Sequence, residues 1–189
     1  DGHGRHRDGR RTQQGMIRKL FFWILLAGMI GLWAFSDRIF PPEAITAKSA
    51  TITDGDTLVV NRTTFRLYGI DAPEYRQTCK DARGIDWECG KAARTELARL
   101  AKSGEITCEP RAEDKYGRKV ARCGNEAAPD FAQAMAEAGL AISPTERGSA
   151  PYEAEQDSAR RAKRGIWQGT FDDPVNWRTS RPRTAAQPK

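Results

Sequence analysis

Between residues 49 and 70, three runs rich in β-branched residues, Ser49–Thr53, Thr57–Val60 and Thr64–Ile70, are broken by the turn signals Asp54-Gly55 and Asn61-Arg62. Runs this short, joined by turn-forming dipeptides, leave room for little except consecutive antiparallel strands, so the spacing predicts a three-stranded meander. Residues 75–88 are polar and irregular. Gly90–Lys102 then places Ala93, Leu97, Leu100 and Ala101 on one helical face, and Gly104 closes it. Glu105–Arg111 and Lys119–Cys123 read as two more strands around Asp114-Lys115-Tyr116-Gly117. A second helix runs from Pro129 to Gly139 with Phe131 and Met135 on one face, and a third from about Pro151 to Arg164. Ile166-Trp167, after the stop at Gly165, are expected to plug back into the core. Five short strands, a helix after the third and helices at the end predict an α+β domain built on a small closed β-barrel of the oligonucleotide-binding type, with about three helices.

The segments outside this domain, expected at residues 47–177, differ in character. Residues 1–19 are basic, Gly-rich and without apolar periodicity, which predicts a disordered segment. Residues 20–36 contain an uncharged stretch, Leu20–Phe35, behind Arg18-Lys19. Sixteen helical residues cover only about 24 Å of a ~30 Å hydrocarbon core, so this reads as a short N-terminal membrane anchor or a signal-peptide core. In either case the basic flank stays cytoplasmic, and the chain beyond Ser36 is delivered to the periplasmic or extracellular side, membrane-anchored or secreted. Pro41-Pro42 marks a linker over residues 37–46, and residues 178–189 read as a disordered basic tail.

The formal charge of +6 is carried by the two ends. Residues 1–19 hold six basic and two acidic side chains, and residues 178–189 hold four basic and none acidic, which leaves 21 bases and 23 acids in between. A polyanion handled by the core must be gripped by a few placed arginines or a bound cation, because no broad electropositive surface is implied. His3 and His6 are the only histidines. Serine-histidine and cysteine-histidine catalysis and a histidine-ligated zinc are thereby excluded from the domain.

Cys79, Cys89, Cys108 and Cys123 contain no C-x-x-C pair, which argues against zinc. A hairpin turning between Lys115 and Tyr116 pairs residues whose numbers sum to 231, which sets Cys108 opposite Cys123 at disulfide-compatible separation. The expected bridges are Cys108–Cys123 and Cys79–Cys89, the latter closing a loose loop. Both fit an oxidising compartment.

Asp54, Asp56, Asp71 and Glu74 are hard oxygen donors of the kind Ca²⁺ or Mg²⁺ requires, gathered at the ends of adjacent strands. Asp-Gly is also an ordinary hairpin turn, so the acids alone decide nothing. Arg66 tips the balance. Strand alternation puts Phe65 and Leu67 on one face and Arg66 on the other, where its guanidinium can hold a phosphate bidentately beside a cation, and Arg118 can supply a second fork.

Asp54-Gly-Asp-Thr57, Phe65-Arg-Leu-Tyr-Gly-Ile-Asp-Ala-Pro-Glu74, Asp114-Lys-Tyr-Gly-Arg118, Gly139-Leu-Ala141 and Gly165-Ile-Trp167, in this order and spacing, resemble the thermonuclease (staphylococcal nuclease) family over about residues 48–170. The resemblance implies a Ca²⁺-dependent nuclease that hydrolyses phosphodiesters of DNA or RNA. By matching position, Asp56, Asp71 and the backbone carbonyl of Ala72 would ligate the cation, with Asp54 close by without ligating it. Glu74 would orient or deprotonate the attacking water, Arg66 and Arg118 would stabilise the phosphoryl charge, and Lys115 and Tyr116 would lie along the nucleotide. Two positions depart from the pattern: Ala72 stands where threonine can occur, and Ile142-Ser143-Pro144-Thr145 stand where an aromatic side chain often packs on the nucleoside, with Tyr152 as the candidate substitute.

The chain is expected to act as a monomer, with membrane contact only through residues 20–36. The rival reading is a catalytically silent nucleic-acid- or protein-binding barrel tethered to the membrane, since such folds can keep their shape without their chemistry. The full set of Asp56, Asp71, Glu74, Arg66 and Arg118 argues against it.

Overall fold

The computed structural model describes residues 8–34, 43–145 and 150–180. Residues 1–42 form one compact unit and residues 43–189 another. Residues 1–7 of the disordered segment expected at 1–19, the end of the apolar segment at 35–36, residues 37–42 of the linker expected at 37–46 and residues 181–189 of the tail expected at 178–189 lie outside the described residues.

In the first unit, helix α1 spans Asp8–Ala34. Its uncharged part within the described residues begins only at Leu20, and fifteen residues to Ala34 cover about 23 Å at 1.5 Å each. No helix among the described residues is long and apolar enough to cross a membrane. The membrane anchor expected at residues 20–36, with a signal-peptide core as its alternative, is therefore not supported among the described residues, which stop at Ala34 in this segment.

The second unit is built on a curled six-stranded sheet, with β1 (Ile45–Ala47), β2 (Thr51–Asp54), β3 (Thr57–Val60), β4 (Thr63–Leu67), β7 (Ile106–Glu113) and β8 (Lys119–Gly124) in the order β1-β7-β8-β4-β3-β2. The expected meander is β2-β3-β4. Asn61 and Arg62 make its second turn with φ of 48° and 68°, the left-handed pair that a two-residue hairpin demands. β4 and β8 run parallel, with Arg66 opposite Val120.

The expected five-stranded closed barrel is corrected in two respects. A sixth strand, β1, pairs with β7 as Ile45 to Cys108, and its three residues are too few to announce themselves by alternation. The sheet is a half-barrel, because β1 and β2 are its two unjoined edges. Residues 75–88 also hold more order than their polarity suggests. β5 (Cys79–Lys80) and β6 (Asp86–Trp87) pair antiparallel, and a bridge joins Cys79 to Cys89.

The second bridge, Cys108–Cys123, forms as the hairpin register predicts, although the register is reached differently. Near the turn the pairs are Glu113–Lys119 and Ala112–Val120, one residue out of step with the expected sum. A bulge between Pro110 and Ala112 absorbs the extra residue, and beyond it Pro110 faces Ala121 and Cys108 faces Cys123.

Helix α2 (Cys89–Ala101) lies against β2, and α3 (Phe131–Glu137) packs on α2 and β8. Leu58, Phe65, Leu67, Leu97, Ile106, Phe131 and Met135 are sealed from solvent in the core between the sheet and these helices. Each such side chain contributes about 1.5–3 kcal/mol relative to exposure. Asp130 caps α3 by accepting hydrogen bonds from the N–H groups of Ala132 and Gln133.

Helix α4 (Glu153–Arg161) precedes a 3₁₀ turn at Gly165–Gln168. Ile166 is buried as the plug expected at that point, in a smaller cluster with Cys79 and Cys89. A last helix, α5 (Pro174–Ser180), runs through residues 178–180, where the basic tail was expected to begin.

Two glycines fix how closely α2 approaches the site. A Cβ at Gly55 would meet the Cβ atoms of Ala93 and Ala72 at 2.6 and 2.7 Å. A Cβ at Gly90 would overlap the carbonyl oxygen of Glu74 at 1.8 Å.

Candidate active site

Asp56 occupies the two-residue turn between β2 and β3, and its side chain is folded inward rather than into solvent. Its main-chain carbonyl accepts from Leu67 N–H at 2.8 Å, so the turn is pinned to β4. One carboxylate oxygen accepts from the Thr57 hydroxyl at 2.8 Å, and the other contacts Arg66 at 2.6 Å and Ala72 N–H at 3.4 Å. Asp71 follows β4 and is held by two main-chain hydrogen bonds with Ile142, both at 2.9 Å. The segment after Gly139-Leu140-Ala141 therefore serves as a backbone prop for Asp71.

Arg66 projects from β4 on the face opposite buried Phe65 and Leu67, as alternation requires. Its guanidinium spans the two aspartates, at 2.6 Å to Asp56 and 2.7 Å to Asp71. Asp54 lies beside them, its carboxylate accepting from the Asp56 N–H at 3.3 Å. Glu74 is tied to the buried Gln77: the Glu74 N–H donates to Gln77 Oε1 at 3.1 Å, and the Gln77 N–H donates to the Glu74 carbonyl at 2.7 Å.

One residue that sequence reasoning placed in the tail completes the cluster. Arg178 on α5 forms a fork with Asp71, at 2.8 and 3.0 Å, and reaches Glu74 at 2.8 Å. Gln77 helps to seat this helix, donating through its side-chain amide to the Asp172 carbonyl at 2.7 Å. The basic composition after Trp177 reads as a solvated tail, and only the single arginine one residue beyond the last tryptophan signals otherwise.

The two aspartates are pushed in opposite directions. Burial raises the Asp56 carboxyl well above the usual range, and the charges of Asp54 and Asp71 add to the effect, with Arg66 offsetting only part of it. Burial also acts to raise Asp71, but hydrogen bonds and charge from Arg178 and Arg66 outweigh it and hold the group below the ordinary value. Arg66 loses solvation, yet the two aspartates raise it above the normal guanidinium range.

The hairpin tip stands apart from this cluster. Arg118 is bound by Asp114 at 2.7 Å, and its guanidinium lies 5.6 Å from the centre of the Tyr116 ring. Lys115 sits over the same ring at 5.1 Å, and Tyr116 itself is 72 % exposed. The structure thus brings together Asp54, Asp56, Arg66, Asp71, Ala72 and Glu74, and leaves Lys115, Tyr116 and Arg118 on their own loop. The parallel register puts Lys119 beside Phe65, so Arg118 falls on the face that carries Arg66, one two-residue step of about 7 Å along the strands. Tyr152 does not replace the missing nucleoside-facing aromatic. Its ring is buried and its hydroxyl donates to Asp130 at 2.8 Å.

The donor set suits a hard cation. Asp56 and Asp71 offer carboxylate oxygens, and the raised Asp56 marks a buried negative charge short of compensation. In the structure that compensation comes from guanidinium groups, which take the oxygens a cation would use. Among the described residues no group of three metal-ligating side chains is drawn together tightly enough to hold an ion by itself.

The family model for staphylococcal nuclease homologues matches residues 64–169, more than half of the chain. The chain belongs to the staphylococcal nuclease homologue family. The matched region takes in Arg66, Asp71, Glu74 and Arg118, starts after Asp54 and Asp56, and ends before Arg178. A relative from Rhizobium meliloti (strain 1021), the succinoglycan biosynthesis protein ExoI, is 34% identical over 120 residues, which is 63% of this chain and 63% of that protein. The staphylococcal nuclease homologue fold accounts for the α+β half-barrel, and its named member is a nuclease, which supports a hydrolase in general.

Proposed function

We propose that this chain is a Ca²⁺-dependent nuclease that hydrolyses phosphodiester bonds of DNA or RNA outside the cytoplasm. The observation that carries the reading is Arg66 bridging two buried aspartates within one cluster that also contains Glu74. A binding module has no use for a guanidinium aimed at paired carboxylates beside a third, partly exposed acid.

Asp56, Asp71 and the Ala72 carbonyl would hold the cation, with Asp54 adding negative charge nearby. When bound, Ca²⁺ neutralises phosphate charge. Glu74 accepts a proton from the attacking water as the oxygen forms its bond to phosphorus, and the bond to the leaving oxygen breaks on the opposite side. Arg66 and Arg118 donate to the phosphoryl oxygens as their charge grows, which requires Arg118 to exchange Asp114 for substrate. Lys115 and Tyr116 guide the nucleotide along the exposed hairpin. The two disulfides support an oxidising compartment beyond the cytoplasm, in a secreted form.

The relative's name connects that protein with succinoglycan biosynthesis, and a silent barrel serving such a process is the second reading. Incubating the full chain with single-stranded DNA and with RNA, in Ca²⁺ and in chelator, separates them. Calcium-dependent fragmentation of either polymer is expected. Intact polymers under every condition would leave the binding-module reading.

A further inference from the structure

A groove of about 480 Å³ runs between β2 and the outer face of α2, beginning at Tyr75, the residue directly after Glu74. Its lining includes Lys91, Arg94, Arg99 and Lys102 and no acidic side chain. Ile52 and Ala98 give it an apolar floor. Arg94 is locked in place, donating to the Ile52 carbonyl at 3.0 Å with its guanidinium 5.1 Å from the centre of the Tyr75 ring. Tyr75 is 39 % exposed, so a flat aromatic face backed by a cation stands next to the candidate base. Lys91 and Arg99 pair with Glu88 and Glu96, which lie outside the groove lining, while the Lys102 ammonium has no acidic partner among the described residues.

The net charge of the domain conceals this face. Residues 91, 94, 95, 98, 99 and 102 share one side of a helix, and their cations are grouped although the acids of the domain outnumber its bases elsewhere. From Lys91 to Lys102 the helix advances about 16 Å, which spans four or so phosphates of a stacked strand at ~3.4 Å per charge. An aromatic platform at one end of a cationic groove with an apolar floor is the combination that binds single-stranded nucleic acid with little regard to sequence.

We infer that the β2–α2 groove holds the single polynucleotide strand leading away from the scissile phosphate, with a base on Tyr75 and phosphates along Lys91, Arg94 and Lys102. This rests on the nuclease reading of the neighbouring carboxylates and adds to it a second site, separate from the Lys115–Arg118 hairpin. Discrimination between long and short substrates follows, because a short phosphodiester fills the centre and leaves the groove empty.

The test uses the full chain and the variant Lys91→Glu/Lys102→Glu, both exposed positions, neither paired with Asp54, Asp56, Asp71 or Glu74. Binding of a fluorescein-labelled dT20 is followed by anisotropy across a salt series, and KM and kcat are measured on dT20 and on a nitrophenyl ester of thymidine phosphate. Two lost phosphate contacts should lower the log–log salt slope by about 1.4 and raise KM on dT20 roughly tenfold, with kcat/KM on the short ester unchanged. Tyr75→Ala should weaken dT20 binding without altering the salt slope, which separates stacking from charge. An unchanged slope and KM on dT20, with the wild-type chain active on both substrates, would overturn the groove and leave the nuclease intact. Slope-sensitive dT20 binding without cleavage of either substrate would uphold the groove and sink the nuclease. Preference for a sulfated dextran over dT20 would overturn the polynucleotide assignment.

Discussion

Arg66 and Arg118 carry the same side chain and the same proposed task, yet stand in opposite conditions. Arg66 is set in a central strand and spans two buried aspartates that hold it in place. Arg118 sits at the mouth of a hairpin, bound to an acid four residues away on its own loop. A guanidinium locked between carboxylates is preorganised, and moving it costs the solvation of buried charge. Arg118 answers to one carboxylate that is itself only half-buried, so it can exchange that partner at less cost than a guanidinium shared by two buried aspartates. On the nuclease reading, Arg66 is held in place as the chain folds, whereas Arg118 must first leave Asp114 to meet a substrate.

Four measurements bear on this contrast. The largest effect is expected at Glu74, on the preassembled side. Glu74→Gln should cut kcat by about 10²–10⁴ with thermal melting within error of the parent, and a kcat within threefold would remove Glu74 as the base. Next is Arg118→Ala, for which kcat on DNA should fall roughly 10²–10³-fold with an unchanged melt, the loss typical of a transition-state donor. If it merely raised KM, the hairpin would be a binding loop and the contrast would dissolve.

The third measurement concerns stability and compares the two aspartates in chelator by urea melts between pH 3 and 8. Asp71 is depressed in the fold, so its contribution is present above the ordinary carboxylate value near 4 and is lost as pH falls through its lower folded value. Asp71→Asn should therefore cost roughly 1–3 kcal/mol at neutral pH, a gap that closes in acid. Asp56 is raised, so its ionisation opposes folding as pH climbs from the ordinary value towards the folded one. Asp56→Asn should gain on the parent across that window, and parallel pH profiles for the two variants would contradict the opposed shifts.

The smallest effect of the four is expected from Arg178→Gln. Its side chain is 38% exposed, but its partner Asp71 is buried and keeps only Arg66 among the described residues when it is lost, so stability should fall by about 0.5–1.5 kcal/mol. Its fork nevertheless covers both oxygens of Asp71, so terbium luminescence should report tighter cation binding by the variant without nucleic acid present. Weaker binding would mean that Arg178 shapes the site rather than competing for it.

Much of the preassembled half could be read from the residues alone. Alternation placed Arg66 opposite Phe65, and the acids at strand ends follow from turn chemistry that doubles as ligand chemistry. The Cys108–Cys123 pair was reached from a register that the real hairpin leaves and regains through the bulge at Pro110–Ala112. Local pattern carried less about the contributions made at a distance. β1 is three residues long and becomes a strand only because β7 offers an edge. Gln77 is a polar residue in an irregular stretch, and its hold on both Glu74 and Asp172 depends on a contact across 95 residues. Arg178 and the α2 groove escaped for the same reason: a sum over the chain averages away charge that folding brings to one place.

Gly90 carries the absence of a side chain into the domain's architecture. With the Glu74 carbonyl lying where its Cβ would be, α2 and the chain at Glu74 form one block, and the smallest substitution at position 90 acts as a wedge between them. A designer seeking to widen the cleft between the candidate base and the basic helix face has a single one-atom handle there. Alanine at that point moves the helix or the glutamate, and substrate length preference would show which of the two gives way.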